Sequence, residues 1–184
     1  GGTNGLNLAA GASGSTIRGL VINRFTGNGI DIQSTGNTIV GNWIGLDVTG
    51  TVDLGNGSDG IAVKAANNII GGTTPAERNV TSGNSGQGID VDPGVNGTII
   101  TGNYIGTNAT GTAGIGNGSG GIIVENSNAT TIGGTAPGQG NVIAFNTGIG
   151  VNVTTTPVTG VRILGNSIYS NTGIGIDLGN NGVT

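Results

Sequence analysis

Acid–base chemistry in this chain has to come mainly from nine carboxylates, because its 184 residues include no His and no Cys. That removes Cys nucleophiles, Ser-His-Asp relays and His or thiolate metal sites together. Asp90 and Asp92 are two residues apart, a spacing that puts both side chains on one face of a strand. A glycosidase flanks the scissile bond with two carboxyl groups about 5–9.5 Å apart. Asp90 and Asp92, with Asp31 as a third acid, come closest to that pattern. The competing reading leaves them as solvated acids at a strand end. A lyase base would have to be Arg18, Arg24, Arg78 or Arg162, and none of these recurs at an equivalent place along the chain.

Calcium is the one metal the composition permits, through carboxylate and carbonyl oxygens. Asp47, Asp53 and Asp59 follow each other at six-residue intervals, while the matching positions of a second, similar segment are Asn108, Gly114 and Gly120. A loop that keeps its shape without all three carboxylates does not depend on a metal, so no cofactor is expected. Trp43 and Tyr104 occupy matching positions in those same two segments and offer faces on which a sugar ring can stack. Five basic residues against nine acidic ones, a net charge of −4, leave no basic patch for nucleic acid. No apolar run approaches the ~20 residues of a membrane-spanning helix, so membrane insertion is not expected.

The elements that carry these residues are strands. Gly makes up 42 of the 184 residues, and Gly or a β-branched residue interrupts every helical window. The apolar residues are mostly Ile and Val in short alternating groups, such as Gly29-Ile30-Asp31-Ile32 and Gly88-Ile89-Asp90-Val91, which is strand patterning rather than disorder. This four-residue unit recurs six times, beginning at Gly29, Gly60, Gly88, Gly121, Gly150 and Gly175. A second marker recurs as Asn42, Asn79, Asn103, Asn141 and Asn166, with Leu20 in the first copy. An Ile marker precedes it at Ile17, Ile39, Ile70, Ile100, Ile132 and Ile163.

From the Asn-type position to the next Gly the distance is 9 in four copies and 18 in two; from the Ile to the Asn it is 3 in four copies and 9 in two. Insertions of nine and six residues therefore alternate at two different corners of a repeat of 22 to 25 residues. Such a repeat cannot bury its strands alone, but stacked copies enclose a continuous column of Ile and Val. Parallel strands need long crossovers, and with no helices available closure into a parallel β-helix is the remaining solution.

The expected interior columns are Ile30, Ile61, Ile89, Ile122, Val151, Ile176 and Ile32, Val63, Val91, Val124, Val153, Leu178. The residue between them reads Asp31, Ala62, Asp90, Ile123, Asn152, Asp177, with no two acids adjacent, as stacking ~5 Å apart requires. On this map Asp31 lies two coils, ~10 Å, from Asp90, and Trp43 lies as far from Tyr104. The Asn residues are expected at corners, each amide bonding its counterpart in the next coil.

The runs Gly41–Gly60 (GNWIGLDVTGTVDLGNGSDG) and Gly102–Gly121 (GNYIGTNATGTAGIGNGSGG), with Ile70–Asn84 (IGGTTPAERNVTSGN) and Ile132–Asn146 (IGGTAPGQGNVIAFN), resemble the repeats of bacterial right-handed parallel β-helix proteins. The resemblance implies an all-β right-handed parallel β-helix of about six coils with three short strands each. It also implies a single domain over 1–184 that belongs to a longer repeat protein, located outside the cell or on its surface. Members are mostly secreted or surface-attached proteins of unassigned role, and related coils occur in enzymes acting on pectin and alginate and in phage tailspikes. The fold does not fix the activity. A polygalacturonase-type site also wants His and a basic substrate clamp, which this chain lacks. The expectation is a non-catalytic spacer, stalk or adhesive surface, with a polysaccharide-acting or sugar-binding module as the alternative. The unpaired strand edges at both ends lead to a further expectation, continuation into more coils or end-to-end self-association.

Overall fold

The computed structural model describes residues 2–154 and 158–179. Its first coil holds β1 (Leu6–Leu8), β2 (Thr16–Arg18) and β3 (Val21–Ile22), and its second β4 (Ile30–Ile32), β5 (Thr38–Val40) and β6 (Trp43–Ile44). The third holds β7 (Ile61–Val63), β8 (Ile69–Gly71) and β9 (Val80–Thr81), and the fourth β10 (Gln87–Val91), β11 (Ile99–Thr101) and β12 (Tyr104–Ile105). The fifth holds β13 (Gly120–Glu125), β14 (Thr131–Gly133) and β15 (Val142–Ala144), and the sixth β16 (Val151–Thr154), β17 (Arg162–Leu164) and β18 (Ser167–Tyr169). β19 (Ile176–Leu178) opens a seventh turn. A single 3-10 turn, Pro75–Glu77, is the only helical element among the described residues.

Every third strand joins the same sheet, and all pairings are parallel. Sheet A stacks β1, β4, β7, β10, β13, β16 and β19; sheet B stacks β2 to β17; sheet C stacks β3 to β18. The chain is a right-handed parallel β-helix. The register matches the repeat: Ile30 pairs with Ile61, Ile61 with Ile89, Ile89 with Ile122, Ile122 with Val151 and Val151 with Ile176. Ile30, Ile61, Ile89 and Val151 are fully buried, as are Ile32, Val63, Val91 and Val124 beside them. Leu178 ends the second column and is 57% exposed.

Sheet A has seven strands where the repeat pattern predicts six. The extra strand is β1, whose Leu6 and Leu8 pair with Ile30 and Ile32 and extend both columns. Leu replaces the β-branched residue of the repeat there, so the unit is not visible to a pattern built on Ile and Val.

The corners are held by amides. Asn42, Asn79, Asn103, Asn141 and Asn166 form one ladder, in which both the backbone N–H and Nδ2 of each Asn donate to Oδ1 of the next, at 2.8–3.3 Å. Nδ2 also donates back to a carbonyl of the preceding coil, as from Asn103 to Ile70 at 2.9 Å. A second ladder, which the repeat arithmetic did not single out, runs through Asn56, Asn84, Asn117, Asn146 and Asn171 with the same bonding. A shorter one, Asn37 to Asn68, holds the third corner in the early coils. The Gly before several ladder Asn residues has a geometric cause: Gly41, Gly102 and Gly165 have φ of +66°, +66° and +62°. A Cβ on Gly102 would also stand 2.0 Å from the Gly72 carbonyl oxygen.

Candidate functional site

The two kinds of insertion flank sheet C. The nine-residue ones form hairpins after β6 and β12, closed by the bridges Leu46–Asp53 and Thr107–Gly114. The six-residue ones precede β9 and β15 at the opposite corner of the same sheet. The two hairpins touch, since the Ala109 N–H donates to the Gly50 carbonyl at 2.9 Å.

Trp43 and Tyr104 stand in one outward row of sheet C, two coils apart, with Val80 paired between them. They do not form an open two-ring platform. Each half-buried ring lies beneath its own hairpin: a Cβ on Gly50 would stand 3.2 Å from Cζ3 of Trp43, and one on Gly111 would stand 2.7 Å from Cε2 of Tyr104. The Arg78 guanidinium covers Tyr104 at 4.0 Å from the ring centroid, and its Nε donates to the Gly102 carbonyl. Trp43 and Arg78 do meet in a shallow cleft of about 330 Å³, whose other walls are Leu20, Val21, Pro75 and Ala76.

The loop acids are spent locally. Asp47 accepts hydrogen bonds from the N–H groups of Thr49, Thr51 and Val52 and from the Thr49 hydroxyl, which holds its carboxyl well below the usual range. In the second hairpin Asn108 does the same work, its Oδ1 accepting from Thr112 and Ala113. Asp53 accepts from the Gly55 N–H inside the hairpin, whereas Asp59 lies on the sheet A side and accepts from the Gln87 N–H at 2.7 Å. Asp47, Asp53 and Asp59 therefore do not converge on one point, and no group of three or more acids among the described residues is arranged to hold a metal ion. The six-residue insertions repeat the pattern. Glu77 accepts from the N–H groups of Thr73 and Thr74 and from the Thr74 hydroxyl, and these bonds lower its pKa. Gln139 takes that place in the other copy and accepts from the Ala136 N–H.

The outer face of sheet A carries the remaining acids. Asp31, Ala62, Asp90, Ile123, Asn152 and Asp177 form its middle row in the predicted order. These acids are not the solvated strand-end groups that one reading of the sequence made them. Asp31 is 2% exposed because residues from three coils close over it: Asn4 and Gln33 donate to Oδ2 at 3.2 and 2.8 Å, and Lys64 Nζ meets Oδ1 at 2.8 Å. Asp177 is 1% exposed. Asp90 has no such cover of donors, and its buried Oδ1 finds no hydrogen-bond partner among the described residues. Burial first, then the negative charges of Asp59, Asp92 and Glu125, push its carboxyl up to about 7. Asp92 is raised too, again mainly by burial, with Lys64 opposing.

Asp90 and Asp92 are thus neighbours on one face, while Asp31 is separated from Asp90 by Ala62 and held in its own ion pair. A buried carboxyl pushed up to about 7 is a group suited to proton transfer. Clefts of about 500, 330 and 280 Å³ lie at the C-terminal end, at Trp43 and beside Asn4 and Lys64, and none of the three is lined by Asp90 or Asp92. The Arg residues are spread over other parts of the coil: Arg18 and Arg162 are on sheet B, Arg24 follows β3 of sheet C with its N–H donating to the Leu54 carbonyl, and Arg78 lies over Tyr104 of sheet C. No known family model matches the chain, and no curated protein matches it in sequence.

Proposed function

We propose that this chain is a non-catalytic structural segment, a stiff spacer or adhesive stalk of the secreted or surface-displayed kind that the bacterial β-helix repeats point to. The observation that carries this reading is the pair of Asn ladders, each running from the second coil to the sixth with every step made. Side-chain amides bonding along the axis add to the three sheets and resist bending and shear between coils. Incubation with a panel of acidic polysaccharides tests the reading, with unsaturated products and new reducing ends followed over time. No turnover is expected. Turnover that disappears in Asp90→Asn would replace this proposal by the polysaccharide-acting enzyme.

A second reading, sugar binding, is favoured by one observation: the only Trp of the chain lines a cleft together with a guanidinium. An aromatic face beside a fixed cation suits a short anionic saccharide. Titration of Trp43 fluorescence with uronate oligosaccharides tests it. A saturable change lost in Arg78→Gln supports the site, and no change removes it.

A further inference from the structure

The chain contains one Asp–Pro bond, between Asp92 and Pro93, immediately after β10. Such a bond is chemically weak from within. The Asp side chain reaches its own carbonyl carbon in a five-membered ring, and the Pro nitrogen belongs to a tertiary amide, which takes a proton and leaves more readily than an ordinary one. Near neutrality both steps need help: a donor must polarise the carbonyl, and an acid must protonate the leaving nitrogen.

The fold brings a group to each task. Pro93 and Gly94, the latter at φ +81°, turn the chain so that the Val95 N–H donates to the Asp92 carbonyl at 3.2 Å. A second donor comes from the next coil. The fully buried Ser127 gives its one hydroxyl proton either to the Asp92 carbonyl, at 2.7 Å, or to the Glu125 carbonyl, at 2.9 Å. Pro93 itself is exposed, so water reaches the bond. Asp90 stands two residues earlier on the same face, its buried Oδ1 without a hydrogen-bond partner among the described residues. Burial and the charges of Asp59, Asp92 and Glu125 hold its carboxyl at about 7, with Lys64 opposing. Lys64 and Glu125 flank Asp92 in the adjoining coils, since Val91 pairs with Val63 and Val124. Lys64 opposes the rise that burial, Glu125, Asp31 and Asp59 impose on Asp92, and so favours its ionised form.

We propose that the Asp92–Pro93 bond is a self-cleavage site, with Asp92 as nucleophile, Asp90 as general acid, and the Val95 N–H and Ser127 hydroxyl receiving the charge that develops on the carbonyl oxygen. A carboxylate oxygen of Asp92 attacks the Asp92 carbonyl carbon, and the carbonyl π pair moves onto the oxygen. The pair then returns, the C–N bond breaks, and the Pro93 nitrogen leaves with the Asp90 proton. The products are a cyclic anhydride at Asp92, the free Pro93 amine and an ionised Asp90. Water opens the anhydride to two carboxylates and two protons, one of which restores Asp90. The cut falls between β10 and β11, and it is independent of what the lateral faces of the rod bind.

Incubation of the whole protein at pH 6 tests the site, followed by denaturing electrophoresis and N-terminal sequencing. Fragments 1–92 and 93–184 are expected, the second beginning at Pro93, and they should accumulate faster from the folded protein than from the urea-unfolded chain at the same pH. Asp90→Asn keeps the bond and removes the acid, so it should slow cleavage by about a hundredfold while circular dichroism stays that of the folded protein. The wild-type rate should fall as pH rises through about 7, where Asp90 ionises, and the Asp90→Asn rate should lack that step. Ser127→Ala should cost about a hundredfold as well, and Ser127→Thr, which keeps the hydroxyl, should recover most of it. An intact chain, cleavage no faster in the folded protein than in the unfolded one, a fragment beginning elsewhere, or folded Asp90→Asn with the wild-type rate and pH profile would each overturn the proposal.

Discussion

Two acids of the loops, Asp47 and Glu77, and two acids of the sheet A face, Asp90 and Asp92, are shifted in opposite directions. Asp47 and Glu77 sit in exposed turns, yet backbone N–H groups and Thr hydroxyls point at them and lower their pKa. Asp90 and Asp92 lie on a strand face, where burial raises both and the backbone N–H groups are committed to the sheet; other acids add to the rise at Asp90, and Lys64 opposes it at Asp92. The difference is one of available donors, not of depth alone. It also separates two uses of a carboxylate. In the first hairpin the oxygen matters and the charge does not, since Asn108 replaces Asp47 in a hairpin closed by the same bridge, whereas Gln139 keeps one of Glu77's bonds and the 3-10 turn is not repeated. On sheet A the charge is a standing cost, which is where a function for the group is worth seeking.

The ladders supply the sharpest way to break this rule, because there the oxygen is not enough. Asn103 is fully buried and uses both halves of its amide: Oδ1 accepts from Asn79, and Nδ2 donates to Asn141, Ile70 and Thr101. Asn103→Asp keeps the acceptor but loses every side-chain donor and brings a charge into an interior with no cation. The expected loss is about 3–5 kcal/mol at pH 7, read as a drop in the urea midpoint. An unchanged midpoint would mean that the ladder amides contribute only through Oδ1.

The next effect in size belongs to Asp90. Its folded pKa of about 7 lies above the ordinary value of 3.8, so its contribution to stability is fully present below pH 3.8 and is lost as pH rises through 7. Complete linkage for such a shift is about 4 kcal/mol, which partial exposure screens to about 1–2 kcal/mol. Asp90→Asn should therefore be more stable than wild type at pH 8 by about that amount. Its stability should also vary less between pH 4 and 7. If the two proteins show the same pH dependence in that window, Asp90 is solvated after all.

These contrasts follow the division between what the sequence made legible and what it did not. The interior columns were legible because the side-chain period of a strand is two and each coil repeats Gly-Ile-x-Ile or a close variant of it. One ladder was legible because Asn42, Asn79, Asn103, Asn141 and Asn166 are each followed two residues later by Ile or Thr. The other was not, since Asn56 and Asn117 stand 14 residues after the first-ladder Asn of their coil, while Asn84, Asn146 and Asn171 stand 5 after theirs. The cover over Asp31 depends on Asn4, Gln33 and Lys64, contributed by three different coils, and no spacing rule connects them. The roofing of Trp43 and Tyr104 depends on hairpins folding back so that Gly50 and Gly111 meet the rings. Strand register is a local property of the repeat; these covers are long-range contacts between irregular segments.

The smallest expected effect tests the loop half of the comparison. Asp47→Asn converts the first hairpin into the chemistry of the second, where Asn108 Oδ1 accepts from Thr112 and Ala113 as Asp47 accepts from Thr51 and Val52. At pH 7 the melting temperature should be unchanged, because the acceptor survives and the site faces water. The acid limb should differ. A carboxyl whose folded pKa is depressed contributes stability above its unfolded value of 3.8 and loses it as pH falls through the lower folded value. Wild type should thus weaken below pH 4 by an increment that Asp47→Asn does not show, and Glu77→Gln should remove a second, similar increment at the other corner. Asp47→Ala is the control, since it withdraws the acceptor at every pH and should melt lower at pH 7 as well as in acid. If Asp47→Asn melted like Asp47→Ala at pH 7, the charge would be what holds the first hairpin, and the likeness between the two hairpins would be one of shape alone.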